Sequence, residues 1–483
     1  MLIRRLFLFI TIGLFCNSTI AQQKWDLRKC IDYALANNIS IKQTDIQSKI
    51  SELQYKQSKL SQYPNLNYNL NSSFNSGRNQ DPVTYSLITQ SYLATNMQLQ
   101  SSVEIFNWYS KQNTIAANKW EAEAAKATTD KLKDDISLAV ANFYLQILLA
   151  EEQEKIAGVQ LQQSQSQLRN TRKMVDAGSL PELNAAELEA QVARDSATVV
   201  SAKGNVEQAV LNLKAYMAMD AATAFDVETP PVEFIPIDDI ATLQPESVYT
   251  LAVANLPQQR INDLKLKAAV KNTEAAKGRM YPSISAYGSL GSGYANYFNI
   301  PNYALVPNGK ALTELKADAG GGIEYDIYAP SYSKVKNGTV KSNPLFTQFS
   351  DNFRQSVGIS ISLPIFSGGN LRTGWERNKL TSKNLELQKE ADNQKLKQDI
   401  YQAYNSAIVA LQKFNAAKKT VETSQRSYDF AKKRYDAGML TTLELITNQN
   451  NLLRAKFELI QNQFDYVFKM KVLEFYKGQG LKL

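Results

Sequence analysis

Arg434-Tyr435-Asp436-Ala437-Gly438-Met439-Leu440 has an earlier counterpart in Met174-Val175-Asp176-Ala177-Gly178-Ser179-Leu180. In each, a long helical pattern arrives at Asp-Ala-Gly-x-Leu and a second one, of roughly 36 residues, leaves it. Glycine reaches left-handed backbone angles without a Cβ clash, so the chain can leave a helix and turn there. Two helices joined by so short a turn lie antiparallel. The spacing predicts two helical hairpins with matching tips.

Outward from the tips the two copies stay parallel. Each long helical pattern traces back about 70 residues to a phenylalanine, in Val103-Glu104-Ile105-Phe106-Asn107 and Leu363-Pro364-Ile365-Phe366-Ser367-Gly368-Gly369. Asp135-Ile136-x-x-Ala139 and Asp399-Ile400-x-x-Ala403 mark corresponding points inside them. Earlier in each copy a helix is predicted, over Leu27–Gln62 and Val248–Met280, stopped by Tyr63-Pro64 and Tyr281-Pro282.

After each Tyr-Pro the period changes to two. Leu66, Tyr68, Leu70 and Phe74 alternate with asparagines and Ser73, and Leu93, Met97, Leu99, Val103 and Ile105 share one face of a second segment. Ile284, Ala286 and Leu290 oppose Ser283, Ser285 and Ser289; Phe353, Val357, Ile359, Ile361, Leu363 and Ile365 oppose Arg354, Ser356, Gly358, Ser360 and Ser362. Such strands carry one apolar and one polar face. In a membrane barrel the apolar face meets lipid and the polar face lines a watery lumen. Four strands per chain cannot close a barrel and open edges are forbidden in lipid, so the chain is expected to oligomerise. Phe298 to Asn352, rich in Tyr, Asn, Gly, Ser and Pro, reads as a long loop.

The expected organisation is a signal peptide (1–21), a first repeat (22–220), a linker (221–246) and a second repeat (247–483). The signal rests on Arg4-Arg5, the apolar run Leu6–Phe15 and the small residues before a cleavage site after Ala21. Loss of the two arginines lowers the net charge of +8 by two, with no basic block to suggest nucleic acid as a partner. The mature chain keeps one cysteine, Cys30, on an apolar helix face where core packing is its expected role. With no histidine, His-based catalysis and His-ligated zinc are excluded. No phosphate loop or nucleophile elbow is present, so no enzyme activity, cofactor or metal site is expected.

With repeat, tips, Tyr-Pro pairs and Leu363–Gly369 together, the chain resembles the TolC-like outer membrane efflux family from about Trp25 to Lys477. The resemblance implies a mixed α and β membrane protein: a homotrimer whose four strands per chain form a 12-stranded barrel in outer membrane lipid, with a long α-helical coiled-coil barrel in the periplasm. It implies an exit duct of a tripartite efflux or type I secretion system, docked by its tips to a periplasmic adaptor (membrane fusion) protein and an inner-membrane transporter of RND or ABC type. At the periplasmic entrance Glu444 matches an acidic position that narrows the channel. Asn184 is its first-repeat counterpart, Thr447 stands where a second acidic ring would be, and Tyr435 matches a tyrosine of the closed state. Gly178, Leu180, Gly438 and Leu440 match the positions where tips meet adaptor hairpins. The rival reading is a periplasmic coiled-coil adaptor or spacer. Such proteins usually carry one hairpin, whereas two strand modules each joined to a hairpin favour the duct.

Overall fold

The computed structural model describes residues 24–80, 87–229, 235–297, 300–318 and 320–478; the expected signal peptide lies outside them. In chain order the elements are α1 (Leu27–Asn37), α2 (Ile39–Leu60), β1 (Asn65–Gln80), β2 (Leu87–Phe106), α3 (Ser110–Asp176), α4 (Glu182–Tyr216), α5 (Pro245–Asn255) and α6 (Pro257–Gly278). There follow β3 (Ser283–Tyr297), β4 (Ile300–Asp318), β5 (Glu324–Val340), α7 (Leu345–Asp351), β6 (Arg354–Ser362), α8 (Asn370–Asp436) and α9 (Thr442–Tyr476). The lengths come in pairs: 11 residues for α1 and α5, 22 for α2 and α6, 67 for α3 and α8, 35 for α4 and α9.

The chain divides into a helical unit (Met1–Tyr55, Ala116–Thr273, Arg377–Leu483) and a strand unit (Lys56–Ile115, Glu274–Glu376). One expectation is corrected along the shorter helices: neither is continuous. Asn38 (ψ 128°) and Leu256 (ψ 133°) each step out of helical geometry for one residue. At Leu256 the cause is Pro257, which disfavours α angles before it. Asn38 is held by partners: its amide donates to the Tyr216 carbonyl (2.9 Å), and its Oδ1 accepts from Ser40 N–H (2.9 Å) to start α2.

In the helical unit two cores form on matched positions. Cys30, Ala34, Ile136 and Leu213 belong to one, with Val140, Ile147, Met217 and Val467. Val248, Ala252, Ile400 and Leu473 belong to the other, with Leu243, Ala407 and Met470. Cys30 thus fills the place that Val248 fills in the second core. Burial pushes its thiol up to about 12, as for an inert, hydrophobe-like cysteine.

The segment after α4 is tied down by a buried cation and by backbone and tyrosine contacts. Lys214 Nζ donates to the carbonyls of Ala221 (2.9 Å) and Thr223 (2.5 Å). Trp25 and Val227 form a parallel bridge, and Tyr144 donates to the Glu228 carbonyl. Beside this bridge Glu151 is pushed up to about 7, first by burial and then by repulsion from Asp226. A raised carboxyl favours the fold fully below its unfolded value near 4.3, and that contribution disappears as pH rises through about 7. Glu151→Gln is therefore expected to be neutral at pH 4 and stabilising at pH 8 by about 1 kcal/mol, after discounting for the half-exposed site. Thermal melts at the two pH values check this; equal shifts at both would show that no titration is involved.

In the strand unit β1-β2-β3-β6 make one antiparallel sheet. The register puts Tyr68, Leu99 and Leu290 in line, and likewise Phe106, Ile284 and Ile361, while Glu104, Ser285 and Ser360 share the other face. The alternation therefore converges on one apolar face, and that face is uncovered: Val357 is 91% exposed. A register shift between Glu104 and Phe106 moves Phe106, rather than Ile105, opposite Ile284. β6 stops at Ser362, before the ladder-breaking Pro364. Among the described residues the outer edges of β1 and β6 have no strand partner.

The expected loop at 298–352 is corrected. It contains a β4–β5 hairpin turned by three positive-φ residues, Gly320, Gly321 and Gly322, and then α7. Register shifts at three places break the period-two signal, which is why composition alone reads as loop. α7 covers the edge of β3 beyond Gly291. Gln348 accepts from Ala295 N–H and donates to its carbonyl (3.0 Å each), and Asn352 donates to the Gly293 carbonyl (2.7 Å). Two side chains four apart, one on α7 and one at its C-cap, thus satisfy a strand edge.

The two strand-to-helix turns differ chemically. Before α8 the left-handed positions are Gly368 (φ 62°) and Gly369 (φ 80°); before α3 they are Trp108 (φ 52°) and Tyr109 (φ 59°). For a residue with a Cβ this conformation costs about 1–2 kcal/mol.

Candidate functional site: the helical tips

Both long helices end by the same bonds. Gly178 N–H donates to Val175 O and Ser179 N–H to Met174 O, both at 2.8 Å; Gly438 N–H donates to Tyr435 O (2.9 Å) and Met439 N–H to Arg434 O (2.8 Å). Both glycines have φ 74°. This is the Schellman closure, which needs the left-handed angle at its first non-helical residue.

The next helices start differently. α4 follows Pro181 with no side-chain cap, whereas α9 has a full capping box: Thr441 Oγ1 accepts from Glu444 N–H (3.3 Å), and the Glu444 carboxylate accepts from Thr441 N–H (3.0 Å) and its hydroxyl (2.7 Å). Those donors hold the Glu444 carboxyl below the usual range. The structure thus places Glu444 at an exposed helix start. Asn184 is half-buried, its N–H bonded to Pro181 O (3.1 Å), and exposed Thr447 bonds back to Leu443 O (2.8 Å). On the first tip the acidic group is Glu182, paired with Arg172, which also reaches Glu189 at 3.4 Å. Sequence reasoning did not single out that pair.

Tyr435 is buried and ties three helices together. Its hydroxyl lies 3.0 Å from Thr171 Oγ1 on α3 and 3.4 Å from Thr442 Oγ1 at the start of α9. Its ring packs with Ala431 and Leu445, and Leu440 lies against them. Leu440 is thus part of the tip's own packing and Leu180 is half-buried; exposed apolar side chains near the tips include Leu183, Met439 and Leu443.

Further along the hairpins lies a buried polar layer without a sequence signal. Asp195 accepts from Ser164 and from Gln191 Nε2 (2.8 Å); Gln449 donates to Ser164 (2.8 Å), and Gln191 donates to Asn450 (3.0 Å). Polar residues in a long helix look solvated until their partners are known. Together α3, α4 and α9 satisfy them.

Among the described residues no helix is long and apolar enough to cross a membrane, and no group of acidic, Cys or His side chains is arranged to hold a metal.

Comparison with known proteins bears on both units. The chain is 22% identical to the outer membrane protein TolC of Escherichia coli K12, over 77% of this chain and 67% of that protein. It is 23% identical to the pyoverdine export outer membrane protein OpmQ of Pseudomonas aeruginosa, over 75% of this chain and 65% of that one. It superposes on the MtrE outer membrane channel of Neisseria gonorrhoeae, solved in an open state, with a TM-score of 0.70, covering 94% of this chain and 89% of that one at 21% identity. That likeness concerns the fold. The family model described as outer membrane efflux protein matches residues 30–218 and 248–469, most of the chain, and the protein belongs to that family.

Proposed function

We propose that the protein is the outer membrane exit duct of a tripartite efflux or type I secretion system, a passive conduit with no enzymatic step. The observation that carries this reading is the open four-stranded sheet with one uncovered apolar face and two unpartnered edges. Lipid is the solvent that suits such a face, and only closure removes such edges. Three copies supply twelve strands, within the range of known barrels. The paired element lengths and matched cores support an internal duplication, so three chains present six similar hairpins. The helical part lies in the periplasm, its signal peptide removed. The glycine-turned tips meet a periplasmic adaptor backed by an RND or ABC pump, through Gly178, Gly438 and the apolar Leu180, Leu440, Met439 and Leu443.

The test is the mass of the detergent-solubilised protein, together with single-channel recording in a planar bilayer. Three copies and a discrete conductance are expected. A monomer without conductance overturns the duct and favours the spacer reading.

The entrance role of Glu444 has its own test. Three carboxylates near one axis attract divalent cations. Glutamine preserves the capping-box geometry while removing charge. Glu444→Gln is expected to weaken divalent-cation block of the conductance about ten-fold with only a small drop in melting temperature, since the cap keeps its bonds and loses only the anion that the helix start favours. Unaltered block would leave Glu444 as a cap only.

A further inference from the structure

We propose that the Trp108-Tyr109 turn is a lipid anchor: it seats the first strand-to-helix connection in the headgroup boundary of a phospholipid leaflet. The inference rests on the barrel reading above. It starts from the difference between the two turns. At the same two left-handed positions the second half of the chain uses Gly368 and Gly369, which adopt those angles at no steric cost, while the first half keeps two large aromatic residues there. Strain retained at two adjacent residues marks side chains with a use.

Their surroundings identify that use. Trp108 packs with its ring tilted against Phe106 at 5.5 Å and Tyr281 at 5.0 Å, and Tyr109 meets Phe106 edge-on at 6.0 Å. Phe106 lies in register with Ile284 and Ile361, so the aromatic cluster continues the uncovered apolar face to the end of the sheet where α3 begins. Trp108 and Tyr109 remain 45% and 63% exposed, offering rings with one polar end each. Amphipathic aromatics at the rim of an apolar band are the chemistry of a membrane interface.

The turn is also rigid. Ser110 donates to the Ala275 carbonyl (2.9 Å), and a Cβ on Gly278 would fall 2.8 Å from the Trp108 carbonyl, so only glycine admits this approach. Nothing within 4 Å would meet a Cβ on Gly368 or Gly369. The first-half turn is therefore built to hold its aromatic pair in one place.

The test uses the full chain with Cys16 replaced by serine, in phosphatidylethanolamine–phosphatidylglycerol vesicles, with an environment-sensitive fluorophore on Tyr109→Cys, and separately on Val357→Cys. The buried Cys30 thiol stays unlabelled. Quenching is read with a spin label on the lipid headgroup and with one near the acyl-chain end. At position 109 the headgroup quencher is expected to act at least about two-fold more strongly than the deep one, with the reverse at 357. Deep quenching at 357 with none at 109 overturns the anchor and keeps the barrel; a blue-shifted, unquenched label at 109 assigns the turn to contact between copies. No quenching at either position overturns both.

Discussion

Glu474→Ala is expected to destabilise the helical unit by about 3–5 kcal/mol, measured as loss of helical circular dichroism on heating or in denaturant. Lys471 and Glu474 lie one turn apart near the end of α9, 2.9 Å from each other and about 5% and 4% exposed. Lys471 also donates to the Pro236 carbonyl, and Glu474 accepts from Asp238 N–H at 2.6 Å. The pair therefore fastens the segment before α5 onto α9. Removing the carboxylate leaves a buried ammonium without its counter-charge and takes the acceptor from Asp238 N–H. Burying two charges gains little over apolar packing, whereas breaking one side of the pair is costly. The double replacement Lys471→Met with Glu474→Leu is accordingly expected to recover most of the loss. A single-variant effect below about 1 kcal/mol would mean that water reaches the pair and that it behaves as a surface bridge.

What was legible in the sequence follows from the range of the forces involved. The tips were legible because a Schellman turn is local: Gly178 and Gly438 stand where only a left-handed residue fits, and both take φ 74°. The sheet faces were legible because period two belongs to the strand itself. The capping box is equally local: Thr441-x-x-Glu444 has the spacing that lets each residue bond the other's backbone, and both bonds form. The break at Asn38 depends on a carbonyl 178 residues away, and the layer around Asp195 needs three helices to exist, so neither has a local signal. The β4–β5 hairpin was hidden by its own bulges. Trp108 and Tyr109 were visible as residues, but their backbone angles were not.

Ile359→Arg is expected to reduce accumulation of the protein in the outer membrane several-fold, about five-fold or more, while Ser360→Arg is tolerated. The two positions are adjacent on β6 and point to opposite faces: Ile359 lies opposite Ala286 on the apolar side, and Ser360 opposite Ser285 on the polar side. An arginine facing hydrocarbon costs about 2–4 kcal/mol at the midplane of a barrel and less towards its rims, and the loss falls on every chain of the assembly. Facing a watery lumen, the same side chain costs little and alters only the local potential. The measurement is the amount of each variant in isolated outer membranes, with heat-modifiable mobility on gels reporting assembly. The paired design separates membrane chemistry from strand propensity, since arginine is equally foreign to both positions of one ladder. Equal tolerance of both variants would remove β6 from the membrane altogether. Loss of Ser360→Arg alone would reverse the faces, placing the serine side in lipid, an arrangement that the apolar continuity from Phe106 through Ile284 to Ile361 argues against.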